Sequence, residues 1–304
     1  MNDSFREDVV AGLSGYPKKL DSKYFYDAAG DKLFQQIMSC EEYYVTRCES
    51  EIFRNSSESI AAALRPGPGE FDLIELGAGD ATKTVFLLRE LSDQGVSFNY
   101  LPIDISGGII EYLERTLPQK LKDLKVRGFT GEYLDMLSEA ASSSDRKKAV
   151  LFLGSNIGNL EQIRSALRPG DRLLIGFDLK KDPETILAAY NDAKGYTKAF
   201  NLNLLERINR ELGADFDTTQ FYHYPTYDPS TGSCRSFLVS RRKQTVRVAD
   251  REFLFEEGEV IDMEISRKYD LQEMNRLAEK SGFKVRDLFP DSKNWFADAV
   301  WECI

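Results

Sequence analysis

A glycine turn set between an apolar strand and a helix-forming segment constrains this chain more than any other feature. Residues 72–84 read DLIELGAGDATKT, with Gly77 and Gly79 where the strand hands over to the helix. The alternation continues downstream. FDLIELG and FNYLPIDIS have the short apolar pattern of strands, and ATKTVFLLREL and GGIIEYLERTL the pattern of helices. LKVRGFTG, AVLFLGS and RLLIGFDL add further short apolar runs. Strands alternating with helices predict an α/β fold, a parallel sheet with helices on both faces. The first glycine turn then falls at the carboxyl edge of the sheet, where open α/β sheets bind their ligands.

Outside that region the pattern differs. The first fifty residues are helical and aromatic, as in SKYFYDAAGDKLFQQIMSCEEYYVTR. TRCE at 46–49 has the spacing of a capping box, with Thr46 as N-cap and Glu49 three residues on. Ile52, Ile60 and Leu64 follow on one helical face until RPGPGE ends the segment. After residue 180, KDPETILAAYNDAKG reads as a helix with Asp182 as N-cap, Pro183 at its first position and Gly195 just past its end. AFNLNLLERINRELG is another helix, and QFYHYPTYD, SCRSFLVSRR and TVRVADREFLFEEG are strand-like. A helix and strands return after residue 269. The predicted organisation is an α/β domain of residues 57–181 and 269–304, interrupted by an α+β insertion at 182–268 that packs with residues 1–56. No internal repeat is evident.

Composition removes several functions. A net charge of −10 argues against a long electrostatic footprint for nucleic acid. The apolar runs are too short to span a bilayer, and MNDSFREDVV carries no apolar leader. Cys40, Cys48, Cys234 and Cys303 have no CxxC spacing, which points to reduced thiols in a cytoplasmic protein. The single histidine, His223, excludes metal sites needing two imidazoles, and no metal is expected. On its strand-like segment it receives no catalytic duty. The SRRKQ run is a solvated strand end.

The turn is a cofactor site or merely a tight connection. Asp104, at the end of the next strand, favours the first reading, because a carboxylate there can take both hydroxyls of a ribose held over the loop. A dinucleotide loop wants a third glycine, and that position is Thr82. Asp80 and Glu75 suit a cationic sulfonium better than a pyrophosphate. S-adenosylmethionine is therefore favoured over NAD. A second ligand edge is LFLGSNIGNL at 151–160, which is the place for a methyl acceptor or an ordinary loop capped by Asn159. The tyrosines at 24, 26, 43 and 44 read equally as core aromatics.

Several blocks together resemble a known family. SKYFYDAAGDKLFQQI, EEYYVTR, ELGAGDATKT, FLGSNIGNL, AFNLNLLERINRELGADFD and EISRKY are similar to the histidine-specific methyltransferases, whose best-known members make the betaine of histidine on the way to ergothioneine. The resemblance runs from about residue 10 to 270. It implies a Rossmann-like class I methyltransferase domain with an inserted α+β substrate-binding domain, S-adenosylmethionine as cofactor, and three methyl transfers to the α-amine of histidine. It assigns Tyr43, Gly79, Lys83 and Asp104 to the cofactor, with Gly77 and Gly154 beside them. Glu132 and Tyr133 stand where the family has an Asp-Phe pair at the adenine. Asn159 and Tyr190 hold the acceptor's carboxylate, and Tyr26 lies beside its amine. Tyr26 and Asn159 thus position the reacting nitrogen. Phe34 and Phe200 are walls, Thr197 lines the imidazole end, and Glu264 and Ser266 bind the imidazole. Two residues apart on a strand, those last two share a face. One departure is Ser236 in SCRSFLVS, where the family has a methionine near the acceptor's side chain. That change enlarges or rewets the pocket. The alternatives are the same reaction on tryptophan or a histidine derivative, a non-catalytic cofactor-binding subunit, and, more distantly, an NAD oxidoreductase. An indole would leave Glu264 poorly compensated, and a buried unpaired charge costs roughly several kcal/mol. A small-molecule partner, no nucleic acid, no membrane and a monomer are expected, with no fused domain after the methyltransferase pattern.

Overall fold

The computed structural model describes residues 3–155 and 157–304, so Asn156 of the SNIGN loop lies outside the described residues. The chain forms two compact units, Met1–Tyr44 with Lys181–Lys268 and Val45–Lys180 with Tyr269–Ile304. The first is built on an antiparallel sheet and the second on a mostly parallel one, and they are called the antiparallel and parallel units below.

The antiparallel unit opens with α1 (Asp3–Ser14), β1 (Lys18–Lys19) and α2 (Ala28–Met38). Asp27 caps α2 by accepting from the backbone N–H of Gly30 at 2.7 Å. The parallel unit then begins with α3 (Val45–Leu64). The capping box expected at Thr46 does not form. Val45 is already helical, and Glu49 falls on the buried stripe with Cys48, Ile52, Phe53, Ile60 and Leu64. Because α3 is one uninterrupted helix, the units divide at 44/45 and not at 56/57.

There follow β2 (Phe71–Leu76), α4 (Thr84–Asp93), β3 (Phe98–Asp104), α5 (Gly107–Lys120), β4 (Lys125–Val126), β5 (Phe129–Thr130), α6 (Tyr133–Ser142), β6 (Lys147–Phe152), α7 (Leu160–Ser165) and β7 (Arg172–Asp178). The chain returns to the antiparallel unit with α8 (Pro183–Ala189) and α9 (Tyr196–Leu212). Asp182 caps α8 as expected, accepting from Thr185 N–H at 2.8 Å. Gly195 does not end that helix. The helix stops at Ala189, and Gly195, at φ 74°, precedes α9, whose first N–H groups at Tyr196 and Thr197 donate to Asp192 at 2.8 and 2.7 Å. Then come β8 (Phe221–Asp228), β9 (Ser233–Ser240), the hairpin β10 (Gln244–Val248) and β11 (Arg251–Phe255), and β12 (Val260–Arg267). The parallel unit closes with α10 (Leu271–Lys280), β13 (Phe283–Pro290) and β14 (Phe296–Cys303).

The large sheet has the order β13-β14-β7-β6-β2-β3-β4, with β5 also on β3. Strands β4, β3, β2, β6 and β7 are parallel, and β14 and β13 are antiparallel. All six residues of β2 and all seven of β7 are buried, as expected when helices cover both faces. The strand order reverses at β2, so the carboxyl ends of β2, β3 and β6 frame the switch point at which such sheets bind ligands.

The small sheet has the order β1-β12-β9-β8. Phe221, Leu238, Ile261 and Met263 join Phe200, Leu204, Leu205 and Ile208 of α9 in one core. A bulge interrupts β12: Asp262 pairs with Phe237, but Glu264 pairs with the very next residue, Ser236. The extra residue, Met263, reverses the alternation, so Glu264 and Ser266 share the α9-covered face with Ile261. Among the described residues no helix is long and apolar enough to cross a membrane.

Candidate active site

The glycine turn is conformationally required. Gly77 and Gly79 have φ of 67° and 51°, and nothing lies within 4 Å of a Cβ built on either, so backbone geometry and not crowding demands glycine. Gly77 and Ala78 N–H donate to Ile103 O at 2.9 and 3.0 Å, which ties the turn to the end of β3. Asp104 completes that tie: one carboxylate oxygen accepts from Gly79 N–H at 3.0 Å and the other from Ser106 N–H at 2.9 Å. Each oxygen keeps a lone pair for a further donor, which fits a diol.

The other two acids of this region have different duties. Asp80 accepts from Thr82 N–H at 3.0 Å and shapes its own turn. Glu75 is buried behind the loop, where Thr84 Oγ1 donates to it at 2.6 Å and Tyr100 Oη on its other oxygen. Desolvation pushes its carboxyl up to about 7, against the pull of those hydrogen bonds and of Lys83. Glu75 is spent behind the loop, which corrects that half of the sequence argument, whereas Asp80 stays exposed on the turn and Asp104 is the carboxylate that ties the turn to β3.

Glu49 was missed. It is fully buried, accepts from Gly154 N–H at 2.7 Å and pairs with Lys83, so one side chain of α3 fixes both the loop after β6 and the start of α4. Desolvation opposes the charge on Lys83, but Glu49 outweighs it and its pKa rises. Asp298 of β14 is fully buried nearby, with neither carboxyl oxygen hydrogen-bonded among the described residues. Burial and then the charge of Glu49 hold it well above the usual carboxylate range. A Cβ on Gly176 would lie 2.7 Å from Glu49 Oε1, which explains a glycine inside β7. The available signal was an acid in phase with an apolar helical stripe.

At the opposite side of the switch point, exposed Glu132 precedes α6 and Tyr133 begins it. The Tyr133 ring packs on Phe152 at 5.9 Å, and its hydroxyl accepts from Asn159 Nδ2 at 3.2 Å. Asn159 sits in the left-handed region at φ 57° and makes no side-chain cap to α7. Its amide is thereby delivered to the residue expected at the adenine. Gly154, at φ 79°, lends its N–H to Glu49.

The antiparallel unit gathers the remaining residues. Tyr26, Phe34 and Phe200 form an aromatic cluster, with ring centroids 5.5–5.8 Å apart, and Tyr43 lies 6.3 Å from Phe34. Tyr43, expected at the cofactor, therefore belongs to the same unit as the acceptor residues. Desolvation, then the charges of Glu264 and Asp31, hold the Tyr26 hydroxyl above its ordinary pKa, so it stays a phenol. Tyr43 is raised too, by desolvation and then by Tyr190 and Tyr26.

Lys268, absent from the sequence reading, organises the polar end. It is fully buried and donates to Tyr190 Oη at 2.7 Å and Ser266 Oγ at 2.9 Å, with the Tyr190 ring 4.5 Å from its ammonium. Tyr190 donates to Ser266 Oγ at 2.8 Å. Ser266 thus accepts twice and has its own hydrogen left to donate. Desolvation raises the Glu264 carboxyl, and the charge of Lys268 offsets part of that. Thr197 is buried in the first turn of α9. Ser236 is only 1% exposed, with its hydroxyl 3.2 Å from His223 Nε2.

A mostly parallel sheet of this strand order, with a glycine turn stapled to the acid of the neighbouring strand, defines a class I S-adenosylmethionine-dependent methyltransferase. The chain belongs to the histidine-specific, S-adenosylmethionine-dependent methyltransferase family, whose sequence profile matches residues 5–303. It is 37% identical to the histidine N-alpha-methyltransferase of Mycolicibacterium smegmatis over 278 residues, covering 88% of this chain and 85% of that protein. It is 30% identical to ergothioneine biosynthesis protein 1 of Schizosaccharomyces pombe, over 88% of this chain but 36% of that longer protein. Among solved structures, the magnesium protoporphyrin IX methyltransferase of Synechocystis PCC 6803 with bound SAH aligns at a TM-score of 0.45 and 11% identity, over 93% of this chain and 98% of that one.

Proposed function

We propose that this enzyme methylates the α-amine of L-histidine, adding up to three methyl groups to give the trimethylated betaine. Ergothioneine synthesis, the role in the name of the fission-yeast relative, is then a pathway its product suits.

One observation carries the choice of acceptor. Ser266, accepting from both Tyr190 and Lys268, presents a donor, while Glu264 on the same strand face presents an acceptor. The two are about 7 Å apart along the strand. A neutral imidazole carries one N–H and one ring nitrogen with a lone pair, the complementary set. An indole carries the donor alone and would leave the Ser266 hydroxyl unpaired.

S-adenosylmethionine supplies the activated methyl group, and the protein's work is alignment. In the parallel unit, Asp104 has lone pairs for the ribose hydroxyls, the Gly77–Gly79 turn leaves open space beside its backbone, and Tyr133 with Glu132 faces the adenine end. Lys83, held by Glu49, sets the positive end of that site. In the antiparallel unit, Tyr190, oriented by Lys268, is the group for the acceptor's carboxylate. Tyr26, a phenol at working pH, positions the amine by hydrogen bonding and does not act as a base. The amine's proton leaves to water. Phe34 and Phe200 wall the site.

The test is a panel of amino acids with a labelled methyl donor, read by mass spectrometry. Histidine should gain one, two and three labels. Labelling of another amino acid with none on histidine overturns the assignment.

A further inference from the structure

Asp298 of β14 stands in the core of the parallel unit with two oxygens and, among the described residues, no hydrogen-bond partner for either. A buried carboxyl left so is costly unless a neighbour completes it. The strand register shows what it faces. Asp298 is paired directly with Gly176 of β7, so both point to the same side of the sheet, with opposed Cβ positions about 5 Å apart. On that side a Cβ at Gly176 would lie 2.7 Å from Glu49 Oε1 and 2.8 Å from the ring of buried Phe296. Glu49 therefore fills the space that the glycine leaves, and Asp298 stands beside it. Glu49 Oε1 accepts from Gly154 N–H at 2.7 Å and its Oε2 takes Lys83. The first oxygen, the one facing Gly176, keeps a lone pair. The charges acting on Asp298 are those of Glu49 and Lys83. Glu75 acts on Lys83 from β2, and Asp178, two residues along β7 from Gly176, lies on the same face of the sheet. One ammonium does not neutralise two adjacent carboxylates, and like charges in a site closed to water do not both ionise.

We propose that Asp298 is a positioning residue for the cofactor: its carboxyl carries a proton, donates it in a hydrogen bond to Glu49 Oε1, and through Glu49 holds Lys83 and the Gly154 loop in place. The inference rests on the reading that Lys83 and Gly154 lie at the cofactor. A bond between a carboxyl group and a carboxylate is short and strong, because its acceptor is ionised. It secures Glu49 from the side of the sheet, while Gly154 N–H and Lys83 secure it from the side of the loops. Without that bond the Glu49 carboxylate is free to turn within the space over Gly176, and the two groups tied to it move with it.

The experiment compares the wild type with Asp298→Asn and Asp298→Leu. In Asp298→Asn an amide N–H replaces the O–H as donor, so the affinity for S-adenosylhomocysteine, by calorimetry, should stay within about threefold of the wild type. Asp298→Leu offers no donor and should lose about ten- to hundredfold, with KM for the acceptor little changed. Infrared spectroscopy reads the proton itself. The wild type at neutral pH should show a carbonyl band of a protonated, buried carboxyl group that Asp298→Asn lacks. Glu75 adds a band of its own, so the difference between the two proteins isolates Asp298. A role in packing alone predicts neither that band nor the rescue by asparagine. Wild-type affinity in Asp298→Leu, binding by Asp298→Asn as weak as by Asp298→Leu, or no band lost in Asp298→Asn would each overturn the proposal. Should Asp298→Leu fail to fold, the infrared comparison decides. Should the wild type take up no S-adenosylhomocysteine, the reading of the cofactor site fails, and the infrared band still decides whether Asp298 holds the proton.

Discussion

Each unit sets a lysine among acids or hydroxyls, and the two lysines are used differently. Lys83 in the parallel unit is joined directly to Glu49, a carboxylate with no exposure, with buried Asp298 alongside. Its charges cancel within the protein, and the result is a clamp on two loops. Lys268 in the antiparallel unit donates to two hydroxyls, and its charge offsets part of the rise that desolvation imposes on Glu264. There the ammonium fixes hydrogen-bond direction in a chain that ends on Ser266, and the acid stays available. A neutralised cluster holds backbone in place, whereas a directed one leaves a donor and an acceptor facing outward.

Breaking the clamp should have the largest effect. Glu49→Ala leaves Lys83 and Gly154 N–H without their partner and should cost about 3–5 kcal/mol of folding stability, read by urea unfolding. The same measurement on Ser266→Ala should show a loss of less than about 1.5 kcal/mol, because that hydroxyl serves the ligand end of its network. Equal losses would erase the contrast.

A second buried acid of the parallel unit sharpens it through pH. Glu75 titrates near 7 when folded and near 4.5 as a free side chain. Between those values the unfolded chain releases its proton first, so stability contributed by the protonated folded state is present below 4.5 and is lost as pH rises toward 7. The change is on the order of 3 kcal/mol. Glu75→Gln should flatten the fall in melting temperature between pH 5 and pH 8, and an unaltered slope would assign it to other groups.

In the antiparallel unit the effects should appear in kinetics. Glu264→Gln should raise KM for histidine about thirtyfold, near 2 kcal/mol, with S-adenosylhomocysteine binding unchanged in calorimetry. Tyr26→Phe should be mildest, a loss of about fivefold in turnover with product shifted toward the mono- and dimethyl forms. Unchanged product ratios would remove Tyr26 from the alignment of the amine.

What could be read from the sequence was what periodicity carries. The strand–helix alternation gave the sheet, the two glycines gave a turn at its carboxyl edge, and the two-residue spacing gave Glu264 and Ser266 one face. The misreadings came from groups whose partners are distant in the chain. Glu49 has the local spacing of a cap, but its carboxylate is satisfied by Lys83 and Gly154, 34 and 105 residues away. Lys268 looks like one more strand-end cation until Tyr190, 78 residues earlier, is folded against it. Gly195 ends a plausible helix on paper, while Asp192, three residues before it, starts another.

The bulge at Met263 lets a single strand act as hydrophobic wall along its first half and, in the proposed reaction, as ligand reader along its second. Removing that one residue would turn Glu264 and Ser266 toward the opposite side of the ribbon without altering either side chain. Anyone wishing to redirect this enzyme has therefore a geometric lever as well as a chemical one: sliding the insertion along the strand re-aims the whole recognition edge at once.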